Sequence, residues 1–203
     1  MTNVKICGFT NAINAKEAAL LGVDAVGMVF YEKSPRNIDI ENALEIVSSL
    51  PPFVNRVGLF VNANPSFIDE TLCEVPIDTL QFHGDETVID CTQFQMPFIK
   101  SVRVSQDTNV SQIADDFSMA SALLLDSYNP SNYGGTGEVF DWSLACVDID
   151  LPIILAGGLT SENVKDAIKQ VKPFAVDASS GVESEPGIKD IDKIKAFIKQ
   201  IQS

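Results

Sequence analysis

"PIILAGGLTSENVKDAIKQVKPFAVDASSG", residues 152–181, changes its hydrophobic period twice. An apolar run at 152–157 gives way to Val164, Ala167, Ile168 and Val171, which recur at i, i+3, i+4 and i+7. A second apolar run follows at 174–179. The outer segments read as buried strands and the middle one as an amphipathic helix, with Thr160 placed to cap it. Strands joined through a helix run parallel, because the helix returns the chain to the edge where the first strand began.

The same alternation extends outward to the amino terminus. Strand-like runs stand at 4–7 ("VKIC"), 25–30 ("AVGMVF"), 56–61 ("RVGLFV"), 79–83 ("TLQFH"), 98–104 ("FIKSVRV") and 122–126 ("ALLLD"). With the two above, that makes eight. Helical periodicity fills several gaps: Ile40, Ala43, Leu44 and Val47 behind Asp39, then Val110, Ile113, Ala114 and Phe117. Ile191, Ile194, Ile198 and Ile201 follow Asp190, and Asn64–Pro65 is a helix-start signal. Segments 85–95 and 141–148 carry only a faint helical period. Eight βα units in 203 residues predict one closed (β/α)₈ TIM barrel spanning 1–203, an α/β fold with little decoration.

Composition narrows the function classes. Hydrophobic residues make up 45% and charged residues 21%, which suits a soluble globular chain. No window approaches 18 uninterrupted apolar residues, and "MTNVKICGFT" reads as a strand rather than a signal core, so a cytoplasmic protein with no membrane partner is expected. A formal charge of −14 with no basic cluster argues against nucleic acid. Cys7, Cys73, Cys91 and Cys146 are scattered and there is one histidine, so neither zinc nor a disulfide framework is expected.

Active sites of such barrels sit at the carboxyl ends of the strands. In order, those ends offer Cys7, Arg36 (within "YEKSPR"), His83, Arg103, Asp126, "AGG" at 156–158 and "DASSG" at 177–181. This gathering of polar residues at one rim signals an enzyme. Gly157, Gly158, Ser179, Ser180 and Gly181 form two small-residue loops after the last two strands, where backbone N–H groups approach a phosphate closely. Cys7 reads either as a buried small hydrophobe or, with Lys5 two residues before it on the same face, as a base or nucleophile. Asp126 reads either as a cap for the loop after it or as a catalytic carboxyl, since burying it bare is expensive. Arg36 is either a solvated loop cation or a bidentate clamp for a substrate carboxylate. Alternation puts Thr79, Gln81 and His83 on one face, and His83 and Asp177 are expected to contact substrate. Gly134, Gly135 and Gly137 form a glycine-rich loop after Asp126, with Phe140, Asp141 and Trp142 closing its base.

The set "KICGFT", "GMVFYEKSPR", "GLFVN", "LQFHGDE", "LLLDS…GGTGEVFDW", "ILAGGL" and "VDASSGVE…PGIKD" resembles the phosphoribosylanthranilate isomerases of tryptophan biosynthesis. The resemblance runs from residue 4 to about 197 in the family's order and spacing. It departs at Ala178, where valine is usual, and at Phe82, where leucine is more common. The resemblance implies an Amadori rearrangement of N-(5-phosphoribosyl)anthranilate to 1-(2-carboxyphenylamino)-1-deoxyribulose 5-phosphate, with no metal or organic cofactor. It implies Cys7 as general base and Asp126 as general acid. It also implies Arg36 as holder of the anthranilate carboxylate, the late glycine and serine loops as the phosphate site, and a monomer or homodimer. The glycine loop beside Asp126 would then cover the substrate. The related isomerase of histidine biosynthesis has an aspartate at the end of its first strand, where Cys7 stands here. A sugar-phosphate sensor would not need both proton-transfer residues.

The chemistry is demanding. A carboxyl with pKa ~3.9 is about 0.1% protonated at pH 7, so its use as an acid costs about 4 kcal/mol. A thiol with pKa ~8.5 is about 2 kcal/mol short of full ionisation. Burial hinders a thiolate, so Cys7 needs compensation from Lys5, backbone dipoles or bound substrate.

Overall fold

The apolar runs pair side by side in chain order, every pair parallel, and the last closes on the first. The computed structural model describes residues 2–127 and 140–202. Its barrel strands are β1 (Asn3–Cys7), β2 (Ala25–Phe30), β3 (Asn55–Phe60), β4 (Thr79–Phe82), β5 (Phe98–Val104), β6 (Ala122–Ser127), β7 (Ile153–Leu155) and β8 (Ala175–Ala178). Around them lie α1 (Ala12–Leu20), α2 (Ile40–Ser49), α3 (Pro65–Glu74), α4 (Val88–Thr92), α5 (Val110–Asp116), α6 (Val164–Val171) and α7 (Ile191–Ile201). Closure is made by β1 against β8, with Lys5 opposite Asp177 and Ile6 opposite Ala178.

Alternation along each strand sorts side chains into two layers. Val4, Ile6, Met28, Phe60, Leu80, Phe82, Leu123, Leu125 and Val176 belong to the cluster beneath the helices. Ile99, Leu124, Ile154 and Ala175 form a second cluster, and Cys7, Val29, Leu59 and Val61 a third near the carboxyl ends of β1–β3. Burial on both faces is why these strands read as unbroken apolar runs. Asp39, Asn64 and Asp190 cap α2, α3 and α7 by accepting from backbone N–H groups, contacts worth about 1 kcal/mol each.

Two local expectations are corrected. Thr160 does not cap α6: its hydroxyl accepts from the Glu162 amide, and a turn at 161–163 precedes the helix, whose cap position is Asn163. The "AGG" loop therefore does not run directly into the helix. Instead Asn163 braces it, donating to the Gly158 carbonyl at 2.9 Å and accepting from the Thr160 amide at 2.8 Å. Segment 141–148 yields a 3-10 turn at Trp142–Ala145 rather than an α-helix. After β8 the chain forms a hairpin, β9 (Glu183–Glu185) and β10 (Ile188–Lys189), turned by Gly187 at φ +85°. The glycine loop with Gly134, Gly135 and Gly137 lies outside the described residues.

Candidate active site

A cavity of about 430 Å³ opens at the carboxyl ends of the strands. It brings together Cys7, Arg36, His83, Asp126 and Asp177 with Gly157, Gly158, Ser179 and Ser180. Two residues from the rim are not among its walls. Arg103 is ion-paired with Asp85 on the outer rim. Gly181 backs so closely on the Leu159 carbonyl that a Cβ there would meet it at 2.0 Å. Gly181 thus packs the two small-residue loops against each other.

β6 carries Asp126 to the rim at 5% exposure. Its Oδ1 accepts from the Ser127 amide at 2.8 Å, and its Oδ2 lies 3.3 Å from His83 Nε2. His83 is itself held from behind. Gln81 Nε2 and Ser101 Oγ lie 2.9 and 2.7 Å from Nδ1. Gln81 and Ser101 thus fix the ring so that its Nε2 edge faces Asp126. Alternation on β4 put Gln81 on the same face as His83. Ser101 comes from β5, and nothing local announces it.

Cys7 ends β1 with its sulfur against β2, where a Cβ on Gly27 would come within 2.7 Å of Sγ. Burial pushes the Cys7 thiol up. Lys5 opposes this, Asp177 adds to it, and Lys189 opposes it again. Lys5 is 3% exposed and pairs with Asp177 Oδ2 at 2.7 Å. Burial alone would lower the Lys5 ammonium, but Asp177 and Cys7 outweigh it and the net direction is up. Burial pushes the Asp177 carboxyl up while Lys5 pulls it back. The ion pair offsets part of the cost of burying both groups. Asp177 Oδ1 is buried and has no hydrogen-bond partner among the described residues.

Arg36 is neither solvated nor free. It is buried, and its Nε and Nη2 donate to Glu183 Oε1 and Oε2 at 2.8 and 2.7 Å. Glu183 also accepts from Lys189 Nζ at 2.7 Å. Burial alone would raise the Glu183 carboxyl, but Arg36 and Lys189 together hold it below the usual range. One edge of the guanidinium fork is therefore spent inside the protein. Only the Nη1–Nη2 edge is left for a substrate carboxylate. Lys189 also reaches the Ser179 carbonyl at 3.2 Å, and Ser179 Oγ donates to the Cys7 carbonyl at 2.9 Å. The hairpin thus ties the Arg36 loop to the ends of β1 and β8. Glu183, Lys189 and the cavity-lining Lys33 and Ser127 escaped the sequence reading. The Pro186–Gly187 turn signal could have revealed the hairpin.

Gly157 and Gly158 adopt φ +85° and +61°, a conformation that turns successive amides outward without Cβ strain. With Ser179 and Ser180 opposite them, they form a small-residue cradle suited to an anion.

This geometry has close counterparts. Residues 4–200 match the family model described as N-(5′-phosphoribosyl)anthranilate (PRA) isomerase. A relative of that name from Thiobacillus denitrificans is 51% identical over 200 residues, covering 98% of each chain. The crystal structure of phosphoribosyl anthranilate isomerase from Thermotoga maritima superposes with a TM-score of 0.91 at 43% identity, over 100% of this chain and 99% of that one. Another isomerase structure, in complex with reduced 1-(o-carboxyphenylamino)-1-deoxyribulose 5-phosphate, gives 0.87 at 41% identity over the same shares.

Proposed function

The chain belongs to the N-(5′-phosphoribosyl)anthranilate isomerase family, and from that premise we propose how its cavity divides the work. The enzyme carries out an Amadori rearrangement in tryptophan biosynthesis, converting N-(5′-phosphoribosyl)anthranilate to 1-(2-carboxyphenylamino)-1-deoxyribulose 5-phosphate. Asp126 delivers a proton to the furanose ring oxygen as the C1′–O4′ bond breaks, and the anthranilate nitrogen lone pair forms the C1′=N iminium. The Cys7 thiolate then takes the C2′ proton, and the C–H electrons form a C1′=C2′ bond while the nitrogen regains its lone pair. The resulting enolamine becomes the ketone when C1′ gains a proton and the C2′ hydroxyl loses one.

The observation that carries this division is the meeting of a carboxyl and a thiol in one cavity, from β6 and β1, with an anion cradle beside them. His83 orients Asp126 through Nε2. Arg36 receives the anthranilate carboxylate on its outer edge, and Gly157, Gly158, Ser179 and Ser180 receive the 5′-phosphate. Asp177 Oδ1 is a buried acceptor lacking a donor among the described residues, and a ribose hydroxyl supplies one. A cytoplasmic setting suits a site that depends on a reduced thiol, and the chain acts as a monomer or homodimer. The test of the whole reading follows the fluorescence of freshly made phosphoribosylanthranilate with purified enzyme. Rapid loss of signal with formation of the ketone supports it, and loss no faster than spontaneous hydrolysis contradicts it.

A further inference from the structure

The free enzyme poses a problem for its own base. Cys7 is 5% exposed, and burial holds its proton on. Lys5 lies two residues before it on the inner face of β1, about 6.6 Å along the strand, with its ammonium in the barrel interior and engaged by Asp177 across the β1–β8 seam. We propose that Lys5 is a positioning residue for the Cys7 base: its ammonium, shared between Asp177 and the sulfur, stabilises the thiolate, and Asp177 sets how much of that charge the sulfur receives.

The surroundings of Cys7 leave Lys5 as the main source of that charge. The groups acting on the sulfur are Lys5 on β1, Asp177 on β8 and Lys189 on β10, while β2 offers only the backbone at Gly27. Lys189 is already bound to Glu183 and to the Ser179 carbonyl. Lys5 donates to Asp177 Oδ2 at 2.7 Å and also reaches the Cys7 sulfur, and Asp177 Oδ1 has no hydrogen-bond partner among the described residues. A substrate hydroxyl donated to Oδ1 offsets part of the Asp177 charge, and more of the Lys5 field then falls on the sulfur. Bound substrate thereby favours the thiolate where the C2′ proton must be taken.

The inference rests on the reading of Cys7 as base, and its test separates the two. Alkylation of Cys7 by iodoacetamide is followed in the full chain between about pH 6 and 10. Labelling is read peptide by peptide by mass spectrometry, so that Cys73, Cys91 and Cys146 do not contribute, and kcat/KM is measured over the same range. Lys5→Met should raise the thiol midpoint by about one to three pH units, the reach of a close opposite charge, and slow labelling at neutral pH at least about tenfold. Asp177→Asn should move the midpoint down and speed labelling about tenfold. Should Lys5→Met fail to fold because it strands the Asp177 charge, adding it to Asp177→Asn removes both charges and must take the midpoint back up. Coincident midpoints, or a rise in Asp177→Asn, overturn the proposal. If the thiol shifts as stated while kcat/KM does not follow, the coupling is supported and the base reading beneath it falls.

Discussion

Replacing Gly157 by alanine is expected to strike the proton transfer, although the residue belongs to the proposed phosphate cradle. At φ +85° any side chain costs about 1–2 kcal/mol before it touches a neighbour. The added Cβ would then lie 2.7 Å from the Ser127 amide nitrogen, 3.0 Å from Asp126 Oδ1 and 3.1 Å from Ser127 Cβ. The nearest of these is backbone and cannot swing aside. That same amide donates to Asp126 Oδ1, so the group pushed away is the one that holds the proposed acid. Relief requires the end of β6 to move by several tenths of an ångström. Because a misplacement on the order of 1 Å costs about 10²-fold, kcat should fall by about 10- to 100-fold. The strain should lower Tm by about 2–8 °C for a chain of this size. Steady-state loss of substrate fluorescence and a thermal melt measure both. A variant with kcat within about twofold of wild type and only KM raised would show that Gly157 acts through phosphate alone, and the argument for a braced Asp126 would be wrong.

Gly158→Val, farther from the reacting carbon, should raise KM more than it lowers kcat, and an unchanged KM would move the phosphate elsewhere. Arg36→Ala should cost about 2 kcal/mol in kcat/KM, and Arg36→Lys should recover only part because it loses the fork that grips Glu183 and a second carboxylate at once; full activity in Arg36→Ala would contradict the clamp. Glu183 is held below the usual carboxylate range by Arg36 and Lys189, so its contribution to stability is fully present above its unfolded value, about pH 4.3, and is lost as pH falls through the lower folded value. Denaturant melts of Glu183→Gln should therefore show a deficit at neutral pH that shrinks in acid, and a deficit independent of pH would refute the assignment.

The barrel was legible because parallel strands buried on both faces must be apolar throughout, and so they stand out at 4–7, 25–30 and the six later runs. Helices were legible only where large side chains made a stripe. α1 buries Ala15, Ala18 and Ala19, side chains too small to mark a face. Its cap, Asn11, was the available signal. α4 is five residues long, and its best mark was the Thr87–Asp90 capping box rather than any period. The rim residues were legible because a strand end is a local feature. Their partners were not. Arg36 and Glu183 are 147 positions apart and Lys5 and Asp177 are 172 apart, so only closure of the barrel brings each pair together. That is why Arg36 read as either a solvated loop cation or a carboxylate clamp, with no sign that one edge of its fork was already committed to Glu183. It is also why Lys5 stood as one of three sources of compensation for Cys7, beside backbone dipoles and bound substrate, with no sign of its pairing to Asp177.

The most direct test of the account is single-turnover kinetics of Asp126→Asn and Cys7→Ser with freshly prepared substrate, with folding confirmed by circular dichroism. Both changes are nearly isosteric at residues facing the cavity. Asparagine has no acidic proton to deliver to the ring oxygen, and a serine hydroxyl is too weak an acid to stand as the base. Each variant should therefore bind substrate and turn it over about 10²–10⁴-fold more slowly. Near-normal turnover in both folded variants would contradict the assignment of the two proton transfers to β6 and β1.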